Sequence, residues 1–293
     1  AEVNRKNILN DDYYIKGDII GKQGVEKSYE KYLRGIKGTE FIQKDRFNRD
    51  IGKYKDGVLD IPSISGKDLT ITIDSKLQEY GEILMKNKKG AIVAIEPNSG
   101  EILSLVSSPS YNPNLLVGRE RSKNYFELYK DSIYRPLIDK SLLSMFPPGS
   151  PFKILVGLTA LQEEIITEKS TIYCKGYYIY GKEKRKINCH CGGGYRNIYN
   201  AISLSCNSYF ADTYRKTINS QNNTKENFDN WSNHIKSFGL GNYLNNDLPI
   251  GKKGVIPDSE YYDRWYPDFK WGATTTISNS IGQGEILTTP IQL

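Results

Sequence analysis

Apolar positions in this 293-residue chain fall into short runs separated by polar, glycine-rich stretches. Two runs, Gly90-Ala91-Ile92-Val93-Ala94-Ile95 and Ile102-Leu103-Ser104-Leu105-Val106, flank the turn formers Pro97-Asn98-Ser99-Gly100 and predict a β-hairpin. Helical spacing appears at Ile154, Leu155, Leu158 and Leu161, a stripe that predicts a core-anchored helix. Leu77, Tyr80 and Leu84 follow Asp74-Ser75, either of which suits an N-cap. Glu26, Glu30 and Arg34, spaced by four, predict a charged helix face, ordinarily solvated surface. His234 lies in a polar helical stretch and reads as surface or core filler. The stretch from Gly57 to Gly66, with Pro62, reads as a linker and divides the chain into domains at 1–66 and 67–293.

Just before the 154–161 stripe lies Phe146-Pro147-Pro148-Gly149-Ser150-Pro151-Phe152-Lys153. Pro147, Pro148 and Gly149 break any preceding helix, and Pro151 is tolerated in a first turn, so Ser150 falls at or just before a helix N-terminus. A spacing of three sets Ser150 and Lys153 on one face, where an amine can take a hydroxyl proton. The free N–H groups and the positive end of the helix dipole favour a developing oxyanion there. The same residues would also make an ordinary capped core helix with a surface lysine. A second Ser-x-x-Lys, Ser28 to Lys31, has no comparable surroundings.

In order and over most of its length the chain resembles the class B penicillin-binding proteins, most closely their elongation-type branch, penicillin-binding protein 2. The resemblance rests on Ser150-Pro151-Phe152-Lys153 as a Ser-x-x-Lys box, on Ser205-Cys206-Asn207 as a Ser-x-Asn box within Ala201 to Phe210, on the 90–106 hairpin and its exit loop Ser108 to Asn114, and on Ser278 to Leu293 with its Ile281-Gly282-Gln283-Gly284. Leu69 to Gln78 resembles the strand and helix start that open the transpeptidase domain, and Gly21 to Gly38 the non-catalytic pedestal. The resemblance implies an α+β fold: a transpeptidase domain with antiparallel sheet and helices, behind a small pedestal (dimerisation-type) domain.

It also implies a peptidoglycan D,D-transpeptidase. Ser150 would attack the penultimate D-alanine carbonyl of a stem peptide, Lys153 would take its proton, Ser205 would relay a proton to the leaving amine, and the Asn207 amide would hold a peptide carbonyl. β-Lactams would stall at the acyl stage, and a membrane glycan polymerase of the RodA type is the implied partner. The family's third box, Lys-Thr-Gly, occurs nowhere; Lys216-Thr217-Ile218 is the nearest match. The expectation is that the natural protein is longer and that these residues alone are inactive or poorly folded. The alternatives are a β-lactamase or β-lactam sensor domain, or a noncatalytic scaffold of a cell-wall synthesis complex.

The four cysteines are Cys174, Cys189, Cys191 and Cys206. No cofactor is required by the chemistry above, but thiolates and imidazole are good tetrahedral zinc ligands. Adjacent residues in Cys189-His190-Cys191 cannot all face one ion, so a structural zinc site would use Cys174, Cys189 and one of His190 or Cys191, completed by Cys206. Some elongation-type relatives carry zinc near this place. A Cys174–Cys189 disulfide and free thiols are the other states the spacing allows.

The net charge of +6 is modest and its lysines are dispersed, so nucleic acid is not indicated. No run of eighteen apolar residues exists, and Ala1 to Lys6 does not resemble a signal peptide. The family's single N-terminal anchor in the bacterial inner membrane is therefore expected to precede Ala1, with the catalytic domain in the periplasm.

Overall fold

The computed structural model describes Val3 and residues 11–220, 223–248 and 250–293, so most of the chain start read for a signal peptide lies outside the described residues. The chain divides into two compact units, Ala1–Thr72 with Asn245–Ile250, and Ile73–Leu244 with Gly251–Leu293.

In the first unit, two short helices, α1 (Gly24–Ser28) and α2 (Glu30–Leu33), are separated at Tyr29, and the strands β1 (Ile42–Lys44) and β2 (Asp50–Lys53) pair antiparallel. The expected charged face is not a solvated stripe. Glu30 accepts hydrogen bonds from the Tyr14 hydroxyl at 2.8 Å and the Gly21 N–H at 2.7 Å, while Arg34 pairs with Asp11 at 2.7 Å and lies over the Tyr13 ring. The Gly57–Gly66 stretch is bonded back onto this unit through bridges Ile36↔Ile64 and Thr39↔Ile61 rather than hanging free as a linker.

The second unit opens with α3 (Ser75–Leu84), whose N-cap is Asp74, accepting from the N–H groups of Lys76 and Leu77. The residues before it, Leu69 to Ile73, form no strand, and the Asp74 N–H donates to the Leu103 carbonyl at 2.9 Å. The predicted hairpin is present as β3 (Gly90–Ile95) and β4 (Ile102–Ser108), in register from Gly90↔Ser108 to Ile95↔Ile102 with a shift at Ala94/Ile95. α3 packs on β4 through Gly81, where a Cβ would lie 2.8 Å from Val106 Cγ2. Leu77, Tyr80 and Leu84 point outward and are exposed. The Gln78 amide pairs with both backbone groups of Leu105, at 2.8 and 3.1 Å, as a neighbouring strand would.

After α4 (Arg121–Lys130) and α5 (Lys140–Leu143), the chain turns at Ser150–Phe152 into α6 (Lys153–Gln162). Two antiparallel pairs follow: β5 (Ile172–Cys174) with β8 (Gly194–Arg196), enclosing β6 (Tyr177–Tyr180) with β7 (Arg185–Asn188). The helices α7 (Ile198–Ser203), α8 (Asn207–Ile218), α9 (Thr224–Ser237) and α10 (Ser259–Trp265) complete the unit with a 3-10 segment, Ile277–Ile281.

Its core is aromatic. Phe152 meets Trp231 edge-on, Trp231 adjoins Tyr214 and Phe228, and Phe228 meets Tyr262 and Trp271, with ring centroids 5.2–6.2 Å apart. On α6 the fully buried apolar residues are Val156, Gly157 and Ala160; of the predicted stripe, Leu155 and Leu161 pack against the core while Ile154 and Leu158 are exposed. Small residues let α8 come close, since a Cβ on Gly157 would sit 3.5 Å from the Phe210 ring.

Candidate active site

The approach to Ser150 is set by Gly149, whose φ of 66° and ψ of −146° lie where only glycine is comfortable. Ser150 then begins the 3-10 turn, with Pro151 in a first-turn position that needs no N–H, and Lys153 opens α6. Lys153 is 2% exposed, and its Nζ lies 3.1 Å from Ser150 Oγ.

The second group arrives from the α7–α8 connection. α7 starts with a reciprocal capping box between Asn197 and Asn200 and ends at Leu204. Ser205 takes φ of 51°, an uncommon left-handed conformation for a residue with a side chain, and Cys206 precedes α8. This bend carries the Ser205 hydroxyl to 2.8 Å and the Asn207 Oδ1 to 2.6 Å from Lys153 Nζ, with the Ser205 carbonyl at 2.9 Å. Ser205 Oγ donates to Ser150 Oγ at 2.9 Å. Ser150, Ser205 and Asn207 therefore converge on the amine of Lys153, the fourth residue singled out in the sequence.

Burial holds the Lys153 amine below the ordinary lysine range, against an opposing pull from Cys189, Cys206 and Cys191. A neutral amine has two N–H groups and one lone pair. The Ser205 carbonyl and Asn207 Oδ1 can only accept, so they take the N–H groups and leave the lone pair for a hydroxyl proton. The arrangement can therefore deprotonate Ser150 and return the proton through Ser205. The Ser150 N–H lies at the start of its turn, among the donors that a helix leaves unpaired. One Asn207 N–H is already spent on the Asn188 carbonyl, at 2.8 Å, which leaves the other for a peptide carbonyl. Sequence reasoning missed Asn188 because a backbone carbonyl leaves no mark in residue identity.

The decoy box behaves differently: the Ser28 hydroxyl donates to the Asp247 carbonyl at 2.5 Å within the first unit. His234, on α9, pairs with Glu163 at 2.5 Å.

Behind the Ser205–Asn207 bend, Cys174, Cys189, Cys191 and Cys206 gather with all four sulfurs within 4.8 Å of one another. Cys189 and Cys191 follow the end of β7 and both join the cluster, while His190, between them, is exposed and outside it. The set is thus four thiols: of the two alternatives at the third place it holds Cys191 and not His190, with Cys206 as the fourth member. All are free thiols, with Sγ distances of 3.3 Å for Cys189–Cys191, 3.5 Å for Cys191–Cys174 and 3.7 Å for Cys189–Cys206. Tetrahedral zinc with bonds of about 2.3 Å needs sulfurs about 3.8 Å apart, so the donor set fits that ion in type and spacing. Burial opposes the Cys191 thiolate, yet hydrogen bonds from its neighbour cysteines and Arg196 bring the thiol down to about 6. Burial pushes the Cys206 thiol up.

Two family models match the chain: "Penicillin binding protein transpeptidase domain" over residues 90–293 and "Penicillin-binding Protein dimerisation domain" over residues 1–71. The peptidoglycan D,D-transpeptidase MrdA of Acinetobacter baumannii is 35% identical over all of this chain, which spans 42% of that relative's length. Among solved structures, Helicobacter pylori PBP2 in complex with MreC aligns with a TM-score of 0.85 at 29% identity, covering 99% of this chain and 52% of that one. Pseudomonas aeruginosa PBP2 in complex with WCK 5153 aligns at 0.74 and 33% identity, covering 93% of this chain and 55% of that one.

Proposed function

Because the chain belongs to the penicillin-binding protein transpeptidase family, matched over residues 90–293, we propose that the protein containing it is a serine D,D-transpeptidase that cross-links peptidoglycan stem peptides. The observation that carries this reading is the convergence of Ser150, Ser205 and Asn207 on the buried Lys153 amine. Ser150 Oγ attacks the penultimate D-alanine carbonyl carbon as Lys153 takes its proton, and the oxyanion forms against the Ser150 N–H. The peptide C–N bond then breaks, the departing D-alanine amine receives a proton by way of Ser205, and Asn207 holds the stem by a peptide carbonyl. An amine of a neighbouring stem resolves the ester and forms the cross-link. A β-lactam opened by Ser150 stops at the ester.

On this reading the chemistry is done in the periplasm from an N-terminal anchor in the inner membrane, and no helix among the described residues is long and apolar enough to cross a membrane. The complex of the Helicobacter pylori relative with MreC supports a partner of that kind, and the family resemblance supports a glycan polymerase of the RodA type. Zinc is proposed at Cys174, Cys189, Cys191 and Cys206; it would supply a structural crosslink between the β5–β8 segment and the Ser205–Asn207 bend.

Incubating the full-length protein with a fluorescent penicillin, followed by peptide mass mapping, tests the reading. An adduct on Ser150, absent in Ser150→Ala and slow to turn over, is expected. A folded full-length protein with no adduct would leave the noncatalytic scaffold as the better account, and rapid hydrolysis would favour a β-lactamase.

A further inference from the structure

The turn that carries Ser150 rests on a segment far away in sequence. Gly149 N–H donates to the Gly282 carbonyl at 2.8 Å, and Phe146 and Thr288 exchange a pair of backbone hydrogen bonds at 2.9 Å. Gly282 has φ of 67°, which asparagine would tolerate at a helix C-cap. A cap is not the whole of its role, because no side chain of any kind fits. A Cβ there would lie 2.3 Å from the Gly149 carbonyl oxygen, 2.7 Å from Phe152 Cβ and 2.8 Å from the Gly149 nitrogen. All three atoms belong to residues immediately flanking Ser150 and Pro151, and two of them are backbone atoms with no flexible end to move aside.

The support is itself anchored. Tyr262 donates its hydroxyl proton to Glu285 at 2.5 Å and accepts from the Asn279 amide at 3.1 Å. Asn279 and Glu285 bracket Gly282, and the Tyr262 ring belongs to the aromatic cluster that also holds Phe152 through Phe228 and Trp231. Both sides of the contact, the turn and its support, are therefore tied to one buried group.

We propose that Gly282 is a positioning residue for the Ser150 nucleophile: its bare Cα lets the 279–285 segment press directly on Gly149, and this contact fixes where Ser150 Oγ sits relative to Lys153. The proposal deepens the acyl-serine reading and rests on it. Any side chain at 282 pushes Gly149 outward and lengthens the 3.1 Å approach between Ser150 and Lys153, leaving the substrate-holding Asn207 untouched.

The test uses the full-length protein and stopped-flow acylation by a fluorescent penicillin, which separates the dissociation constant of the initial complex from the acylation rate constant. Gly282→Ala is expected to lower the rate constant at least about tenfold, with the dissociation constant of the initial complex held, because the damage falls on the reacting geometry alone. Gly100→Ala is the control: in the turn of the 90–106 hairpin, at φ of 77° with nothing within 4 Å of its Cβ, it carries the same left-handed strain outside the 279–285 segment, so it lowers the melting temperature and leaves the rate constant alone. Where Gly282→Ala fails to fold, Tyr262→Phe loosens the anchor without cutting into the contact, and a fall of about threefold or more in the rate constant of the folded protein is expected. A Gly282→Ala protein that melts early but acylates at the unaltered rate, or an unfolded Gly282→Ala beside a fully fast Tyr262→Phe, overturns the proposal. Wild-type protein without a Ser150 adduct instead overturns the acyl-serine reading beneath it.

Discussion

Lys153 faces four oxygens with an amine that carries at most three protons, so its charge decides which of them it serves. Burial lowers its proton affinity below that of an ordinary lysine, so the neutral base is populated at lower pH than for a free lysine. The acylation rate should therefore rise with pH through an inflection below 10.5 and then level, measured by stopped flow across that range. Lys153→Ala should remove this inflection and cost about 10²–10⁴ in rate, the usual worth of a placed general base. The same shift makes the unfolded chain bind more protons than the native one below that value, so this group's contribution to stability falls as pH falls. Ser205 offers a contrary pairing of stability and activity. Its left-handed backbone costs about 1 kcal/mol that glycine would not incur. Ser205→Gly should thus melt no lower than wild type, and higher if the strain is fully released, while acylating more slowly for want of the relay hydroxyl. An equal loss of both would show that the hydroxyl's bonds to Lys153 and Ser150 outweigh the strain.

At the scale of elements, what could be read in advance was set by local periodicity. Ser150 and Lys153 were legible because the helical period alone brings residues three apart together, and the 90–106 hairpin because its turn formers sit between β-branched runs. The orientation of α6 was not legible. Ile154 and Leu158 are larger and more apolar than Val156, Gly157 and Ala160, yet the close approach of α8 selects the small residues for the buried side. The polar Lys153 turns inward with them because Ser205 and Asn207, fifty residues on, supply its partners. α3 errs the same way: its large residues face out, and its packing runs through Gly81 and Gln78. In the β5–β8 segment, the rule that three adjacent side chains cannot all face one ion was available in the sequence and leaves His190 outside, whereas the joining of Cys206 depends on the α7–α8 bend. For this element the expected result is about one zinc per chain by elemental analysis, lost to a strong chelator together with a lower melting temperature and the appearance of four reactive thiols. Metal-free protein with a mass about 2 Da low per bridge would replace zinc with disulfides.

Taken whole, the molecule separates its tasks: one unit with short helices and paired strands but none of the catalytic side chains, the other with all of them around an aromatic core. The resemblance suggests two domains, but the path of the chain was not legible, since Asn245–Ile250, between α9 and α10, belongs to the first unit. Nor could periodicity show that the residues before the nucleophile are held by residues near 282–288, because backbone contacts carry no signature in residue type. This contact spans about 130 residues, and closing a loop of that length is among the slower and later events in building a domain. During synthesis, Ser150, Lys153, Ser205 and Asn207 will all have been made while the strip that seats the turn is still to come. On the proposed acyl-serine reading, competence is therefore acquired late: the Ser150 turn takes its seat only once the 279–288 strip has been made and has docked against it.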